Sequence, residues 1–192
     1  MANADARTVR LDNVRLAFPS LFTPKPVSRD KPNELRYQAV LLLPPEANLA
    51  VLTAAMAAAM TKKWGKVIQL PSKNNPLHDA GEKSDYAGFL PGWKFISVKS
   101  KDRPTVVNRD AVPVTDPALV YPGMWVNAYL DCYAWEHPTG GKGISFGLMA
   151  MQLVKDDERL DGRRAATDVF QPLDALPTTG DAGGIDMNAM FG

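Results

Sequence analysis

One stretch of the chain, residues 121–136 (YPGMWVNAYLDCYAWE), constrains the fold more than any other. Side chains of a β-strand alternate between its two faces, and the alternation here separates two chemically different sets. One set is small or apolar and is typical of a core face: Met124, Val126, Ala128, Leu130, Cys132 and Ala134. The other combines flat rings with polar groups: Trp125, Asn127, Tyr129, Asp131, Tyr133 and Trp135. The stretch predicts a strand with one buried face and one wet face that suits a planar partner.

The aromatic and polar face has three interpretations. Single-stranded nucleic acid is the commonest partner of such a face, because every base has a flat surface that stacks on an aromatic ring. A second buried layer of core would also account for the rings, and so would an interface with another protein chain. The strand alone does not separate the three.

Two further strands and a helix precede this stretch. Residues 8–18 alternate imperfectly, with Asn13 as a candidate bulge, and residues 35–43 become apolar on both faces, which is typical of a covered central strand. Between them, residues 19–33 contain four prolines and are predicted to form a loop. A helix that ends at Gly65 is predicted by apolar residues at steps of three or four: Leu49, Leu52, Met56, Met60 and Trp64.

A third strand, residues 93–101, repeats the combination of rings with polar groups. Ile96 and Val98 point to one face, and the opposite phase carries Trp93, Phe95, Ser97, Lys99 and Lys101. A buried layer would not select the two lysines, so rings that stack on bases and ammonium groups that meet phosphates account better for this face. Three further elements complete the set: a short apolar segment at 105–107, a hairpin turn at 137–143 and a partner strand at 144–154.

Residues 70–92 contain three prolines and three glycines and are predicted to form a long loop. This loop carries Lys83 and Tyr86. Two interpretations of it stay open: a flap that covers a polyanion, or a solvated insertion that one or two rings anchor.

The charge of the chain is unevenly distributed. The formal net charge of the 192 residues is +1, but residues 165–192 contain four acids and no lysine or arginine, which leaves residues 1–164 with a net charge of +5. A basic body with an acidic tail predicts a domain that binds a polyanion and a tail that competes for the same surface. We therefore divide the chain into a folded domain, residues 1–164, and a flexible tail, residues 165–192, whose composition is typical of disorder.

Catalytic and metal sites find little support in the sequence. The two histidines, His78 and His137, fall in predicted loops without partners at ligand spacing. Residues 140–143 (GGKG) lack the hydroxyl residue of a phosphate-binding loop, and the acids at 156–158 belong to a charged run of the kind that normally faces solvent. We expect no enzyme activity, no metal and no cofactor. A metal-dependent nuclease and a protein-interaction module are the alternatives.

The remaining composition indicates a compartment. No apolar run approaches the length of a membrane span, and the N-terminal residues MANADARTVR lack the apolar core of a signal peptide. The lone cysteine, Cys132, excludes an intramolecular disulfide and a cysteine-based zinc site. We expect a cytoplasmic protein in a reducing environment, without membrane contacts.

A series of short segments, taken in order, is similar to a known family. The segments are 16–20 (LAFPS), 63–65 (KWG), 76–77 (PL), 81–83 (GEK), 86–88 (YAG), 99–110 (KSKDRPTVVNRD), 121–123 (YPG), 133–135 (YAW), 143–144 (GI), 147–148 (GL) and 152–156 (QLVKD). Over residues 8–162 the chain resembles the bacteriophage single-stranded-DNA-binding proteins with an OB fold. The resemblance implies a mainly β protein, a five-stranded OB-fold barrel with one inserted α-helix, which binds single-stranded DNA in a groove in the host cytoplasm and catalyses nothing.

The site residues are assigned on this combined basis. The predicted stacking residues are Trp125, Tyr129, Tyr133, Trp93, Phe95 and Tyr86. The predicted phosphate-binding residues are Lys83, Lys99, Lys101, Arg103 and Arg109. The tail is similar in kind to the acidic, ring-terminated tails of replication single-strand binders. Its predicted contacts with replication or recombination proteins are Asp186, Met187, Met190 and Phe191.

Overall fold

The alternating stretch forms a long strand in the wall of a β-barrel. The structure is a computed structural model and describes residues 5–163; the predicted tail and its four partner-binding residues lie outside this range. The strands and the helix are β1 (Thr8–Ser28), β2 (Lys31–Leu43), α1 (Leu49–Trp64), β3 (His78–Asp79), β4 (Lys94–Ser100), β5 (Thr105–Val107), β6 (Trp125–His137) and β7 (Gly141–Lys155). Single 3-10 turns lie at Ser72–Asn74, Ala80–Lys83 and Pro117–Leu119.

Five of these strands close the barrel. β1 pairs antiparallel with β2 and β6, β2 pairs with β4, and β6 pairs with β7. β4 and β7 run parallel and complete the ring through the pair of Val98 and Phe146. The two short strands extend this sheet, β3 beside β4 and β5 beside β7. The protein is therefore mainly β, with the five-stranded barrel and the single helix that the resemblance implies.

The inward set of β6 fills the barrel, as the alternation predicts. Val126, Ala128, Leu130 and Cys132 are almost completely buried. Helix α1 packs onto this core through Leu52, Ala55, Ala59 and Met60, where the alanines permit close approach. The helix ends at Gly65, as predicted. Among the described residues, no helix has the length and apolar character that crossing a bilayer requires.

The prediction of a loop at residues 19–33 is wrong, because β1 and β2 continue through this segment as a long hairpin. Their pairing extends to Ser28 and Lys31, with register shifts after Ala17, Ser20 and Pro26. A proline lacks the amide hydrogen that a strand ladder needs, so it is tolerated at edges and bulges. The irregular ladder of this hairpin supplies such positions, and the four prolines fit without breaking it.

The bulge predicted at Asn13 is present. The register of β1 against β6 shifts between Leu11 and Val14, and Asn13 adopts a positive φ of 52°. Its backbone amide donates to Asn127 Oδ1 at 3.0 Å. The bulge is therefore fixed by a side chain of the neighbouring strand.

The lone thiol lies inside the barrel and is expected to be unreactive. Burial raises the pKa of Cys132 to about 12, and the Asp131 carboxylate next to it adds to the shift. Because the thiolate is the reactive form, we expect the folded protein to resist the thiol reagent DTNB at pH 8 and to be labelled fully in denaturant. The chain has one cysteine, so the absorbance reports on this residue alone. Prompt labelling in native buffer would contradict the buried position.

Candidate nucleic-acid interface

The outward face of β7 forms the floor of a surface groove. Gly143, Ser145 and Gly147 occupy this face, while the residues that alternate with them, Ile144 and Phe146, are buried. Gly143 is buried beneath the ring of Trp135, and Gly147 does not line the groove. The part of this face that the groove reaches is therefore around Ser145.

One wall of the groove is the aromatic edge of β6. Tyr133 pairs with Ser145, and Trp135 pairs with Gly143. The Trp135 indole covers Gly143 so closely that a Cβ atom at residue 143 would lie 2.2 Å from Cζ2 of the ring, and its Nε1 donates to Ser145 Oγ at 3.0 Å. The Tyr133 ring is 40% exposed, and its hydroxyl makes no hydrogen bond within residues 5–163. One ring is thus fixed to the floor and the other stands free.

The opposite wall carries positive charge. It consists of Ser97 and Lys99 of β4 together with residues 73–78, which include Lys73 and His78. The groove between the two walls has a volume of about 200 Å³. Rings on one side and ammonium groups on the other can hold an unstacked base against a ring while lysines meet its phosphates. The structure thus brings together two of the predicted site residues, Tyr133 and Lys99.

Tyr129 extends the aromatic wall along β6. It lies four residues before Tyr133 on the same face, which is about 13 Å at the rise of a β-strand, and it is 41% exposed without a hydrogen bond to its hydroxyl among the described residues. Between the two tyrosines, the Asp131 carboxylate faces the Arg7 guanidinium at 3.8 Å. The same guanidinium donates to the Asp5 carboxylate, so Arg7 offsets only part of the negative charge on this face.

Trp125 and Trp93 lie together in a different environment. The Trp125 indole donates to Asp157 Oδ2 at 2.6 Å, which holds the pKa of that carboxyl below its usual range. Lys155 Nζ lies 4.8 Å from the Trp125 ring centroid, and the two tryptophan rings are 6.1 Å apart. Both rings are half-buried. Trp125 is thus bound to the segment after β7 and does not line the groove.

The expectation of an open ring at Phe95 is wrong. Phe95 is 3% exposed and belongs to a second apolar cluster on the outside of the barrel, composed of Ala17, Leu42, Ala80, Phe89 and Phe95. His78 stacks on its ring at 5.1 Å, and Lys83 Nζ lies 4.8 Å from its centroid. The cause is the segment from β3 to Phe89, which folds back over the outer face of β2 and β4. No face of Phe95 is left for a base.

Tyr86 lies at the surface of this second cluster, away from the groove. Its ring meets Phe18 edge to face at 5.5 Å and approaches the buried Phe89 at 5.9 Å. Tyr86 is 53% exposed. Phe89 therefore anchors this part of the long loop to the barrel, and Lys83 is on the same side as Tyr86.

The other predicted cations lie beyond the groove. Lys101 is exposed directly after β4 and continues the charged wall. The Arg103 guanidinium stacks on the Phe22 ring at 4.9 Å. Arg109 is exposed in the loop after β5, where its carbonyl accepts from Gln152 Nε2 at 3.2 Å. Of the cations predicted from sequence, Lys99 thus lines the groove, Lys101 continues its charged wall, and the others lie on separate surfaces.

Two of the three acids considered for a metal, Asp156 and Asp157, accept hydrogen bonds from aromatic side chains. Tyr121 donates its hydroxyl to Asp156 Oδ1 at 2.7 Å, and Asp157 accepts from Trp125. Within residues 5–163, no three His, Cys, Asp or Glu side chains are placed to share a metal ion.

The predicted site residues did not include three that line the groove: Trp135, Lys73 and His78. The alternation had placed Trp135 on the aromatic face, and a signal for the floor was present in residues 143–147 (GISFG), where small residues alternate with large apolar ones. This alternation predicts a strand with one empty face, and the turn at 137–143 places that face beside the rings of the preceding strand. Nothing comparable in the sequence indicates that residues 73–78 form the other wall.

Comparison with known proteins identifies the family. The family model described as Enterobacter phage Enc34, ssDNA-binding protein, matches residues 7–181. A putative protein p50 from Acyrthosiphon pisum secondary endosymbiont phage 1 is 32% identical over 170 residues, which cover 83% of this chain and 89% of that protein.

Two solved structures share the fold. The single-stranded DNA-binding protein of bacteriophage Enc34, solved in complex with ssDNA, superposes with a TM-score of 0.69 at 21% identity, over 80% of this chain and 89% of that one. The single-stranded DNA-binding protein gp2.5 of bacteriophage T7 gives a TM-score of 0.55 at 13% identity, over 86% of this chain and 99% of that one. On the family match and the p50 identity, the chain belongs to the phage family of the Enc34 ssDNA-binding protein.

Proposed function

We propose that this chain is a non-enzymatic single-stranded-DNA-binding protein that holds one strand in the groove between β6 and β4. The observation that carries the proposal is the groove on β7 between an aromatic wall, formed by Tyr133 and Trp135, and a lysine wall, formed by Lys99 and residues 73–78. Stacking and phosphate contacts do not depend on base identity, so binding is largely independent of sequence. Membership of the Enc34 family supports the same function.

The proposed contacts follow the geometry of the groove. Tyr129, Tyr133 and Trp135 stack on bases, and Lys73, Lys99 and Lys101 meet phosphates. Trp125 and Trp93 anchor the segment after β7 rather than stack. The remaining predicted residues lie outside the groove and are proposed as contacts of a longer strand that continues around the barrel: Lys83, Tyr86, Arg103 and Arg109.

The proposed setting is the replication or recombination of phage DNA in the host cytoplasm. Residues 1–164 form the DNA-binding domain in this proposal, and residues 165–192 compete with DNA for the basic surface because they carry four acids and no lysine or arginine. The tip residues that are proposed to bind a replication or recombination protein are Asp186, Met187, Met190 and Phe191.

A titration with oligo-dT at several salt concentrations tests the proposed function. Bases that stack in the groove are expected to quench the fluorescence of Trp135. Each lysine–phosphate contact on a single strand contributes about −0.7 to the slope of log affinity against log salt. Three lysines therefore predict a slope of about −2 or steeper.

Removal of residues 165–192 is a second arm of this titration. The truncated chain is expected to bind more tightly at low salt and to match the full chain at high salt, where screening weakens the charges of the tail. An absence of single-strand binding, or an affinity that salt does not change, would contradict the proposed function. Equal affinities of the two chains at low salt would contradict competition by the tail alone.

A further inference from the structure

The lysine wall of the groove is fixed to the barrel at its C-terminal end. His78 and Asp79 form β3, which pairs with Phe95 and Lys94 of β4. Lys94 Nζ also contacts Asp79 Oδ2 at 3.0 Å. Just before this pairing, Pro76 is buried against the barrel. The end of the wall that carries His78 is therefore held in place by backbone pairing, an ion pair and packing.

At its other end, after Leu70, which packs on the core, the wall is held by the side chain of Asn74. Asn74 Nδ2 donates to the carbonyl oxygen of Gly140 at 3.0 Å and to that of Lys142 at 2.9 Å. A side-chain amide nitrogen carries two hydrogens, and both are used. The two acceptors lie in and beside the turn that joins β6 to β7. Asn74 therefore connects the lysine wall to the hairpin that carries both the aromatic wall and the floor.

The hairpin to which Asn74 is hydrogen-bonded is itself anchored to helix α1. The Trp64 indole, at the end of α1, donates to Glu136 Oε2 at 3.2 Å. Lys142 Nζ lies 5.4 Å from the centroid of the same indole. The hairpin thus has a fixed position relative to the helix and offers Asn74 a firm attachment. Lys73 precedes Asn74 in the same 3-10 turn, so the two hydrogen bonds of Asn74 determine where Lys73 stands on the rim.

We propose that Asn74 is a positioning residue that makes the groove selective for single-stranded over double-stranded DNA. This inference rests on the proposed function of the groove. A fixed wall leaves space for an unstacked base beside Tyr133 and holds Lys73 near its phosphate. A duplex keeps its bases inside the stack and meets only the exposed lysines. Loss of the two Asn74 hydrogen bonds is therefore expected to weaken the binding of a single strand and to leave the binding of a duplex unchanged.

The test compares Asn74→Ala and Asn74→Leu with the wild-type chain on oligo-dT and on a duplex of matched length, across salt. The leucine variant keeps about the size of the side chain but has neither a donor nor a charge, and it serves if the alanine variant does not fold. Both variants are expected to bind oligo-dT about tenfold more weakly, the equivalent of one charge-assisted hydrogen bond. Their salt slope on oligo-dT should be shallower by about 0.7, which is one phosphate contact. Duplex affinity should not change.

A double-mutant cycle with Lys73→Ala separates positioning from a general loss of structure. If Asn74 acts by placing Lys73, the salt slope of the double variant on oligo-dT is shallower than that of the wild type by about 0.7 and not by about 1.4, because both substitutions remove the same phosphate contact. Asn48→Ala is the matched control: it removes the N-cap of α1, whose side chain accepts from Ala50 N at 3.2 Å, in a cleft away from the groove. This control is expected to lower stability and to leave both affinities unchanged.

The outcomes distinguish this inference from the proposed function. Equal losses on oligo-dT and duplex, additive salt slopes, or wild-type affinity in both Asn74 variants would overturn the role of Asn74 while leaving the groove as the binding site. A wild-type chain without salt-sensitive binding of oligo-dT would instead overturn the proposed function, and the inference with it.

Discussion

Replacement of Tyr129 and Tyr133 together by alanine is expected to lower the affinity for single-stranded DNA by about 30-fold or more. Both rings stand on the outward face of β6, about 40% exposed and without a hydrogen bond in the described part of the chain. A base stacked on an aromatic ring is worth about 1–3 kcal/mol by alanine substitution, so the two rings contribute about 2–6 kcal/mol. A difference of 1.4 kcal/mol is about tenfold in affinity. Equilibrium titration with oligo-dT at one salt concentration measures the effect.

Tyr86→Ala is the matched control for these two rings. Tyr86 is a tyrosine of similar exposure, but it contacts Phe18 and Phe89 on the second cluster instead of lining the groove. The control is expected to bind a short oligonucleotide as the wild type does. Because all three rings lie at the surface and none belongs to the buried core, none of the variants should lose much stability. Wild-type affinity in the double variant would remove the aromatic wall from the site, and a comparable loss in Tyr86→Ala would place the strand on another surface.

The largest effect on stability is expected from Gly123→Ala. Gly123 has a φ of 114°, and a Cβ at this residue would lie 2.1 Å from the carbonyl oxygen of Glu158. The Arg15 guanidinium joins the two segments, because it donates to the carbonyl oxygen of Gly123 at 3.0 Å and to that of Glu158 at 2.9 Å. The backbone amide of Leu160 also donates to the carbonyl oxygen of Pro122 at 2.9 Å. A methyl group would displace this segment, to which Trp125 is hydrogen-bonded. The backbone conformation alone costs about 1–3 kcal/mol, and the displaced segment adds to it.

Thermal unfolding measures this loss, and Gly92→Ala is its control. Gly92 has a φ of 81°, but no atom lies within 4 Å of the position that a Cβ would occupy there, so its replacement introduces the backbone strain without the steric clash. In a chain of this size about 1 kcal/mol lowers Tm by roughly 2–4 °C. We expect Gly123→Ala to lower Tm clearly more than Gly92→Ala does, with a shift in tryptophan emission as Trp125 loses Asp157. Equal shifts in the two variants would show that the contact with Glu158 has no energetic weight.

The inward half of the barrel was predictable from sequence because burial imposes a period of two. Val126, Ala128, Leu130 and Cys132 were assigned to the core from alternation alone, and all are buried. The helix and its end at Gly65 followed in the same way from apolar spacing and from the lack of a Cβ in glycine. These features depend on residues close together in the chain, so local physical rules were sufficient.

The outward half was only partly predictable, because alternation gives the side of a strand and not what covers it. Phe95 and Lys99 share a phase of β4, yet Phe95 is buried beneath the segment that contains Phe89 while Lys99 lines the groove. Trp125 and Tyr133 share a face of β6, yet Trp125 is hydrogen-bonded to Asp157. Each difference arises from a contact between segments that are distant in sequence. Such contacts cannot be predicted from composition and residue spacing.

The burial of Cys132 has a practical consequence for measuring the protein at work. Since the natural sulfur is enclosed by the barrel, a cysteine introduced on the exterior would be the one site that a maleimide dye attaches to. Met149, exposed on β7 near the bulge opposite Tyr129, is a suitable position. A dye at that position would sit beside the path proposed for the strand and change its brightness on occupancy. The wild-type chain therefore needs no cysteine removed before it is labelled as a fluorescent sensor for unpaired DNA.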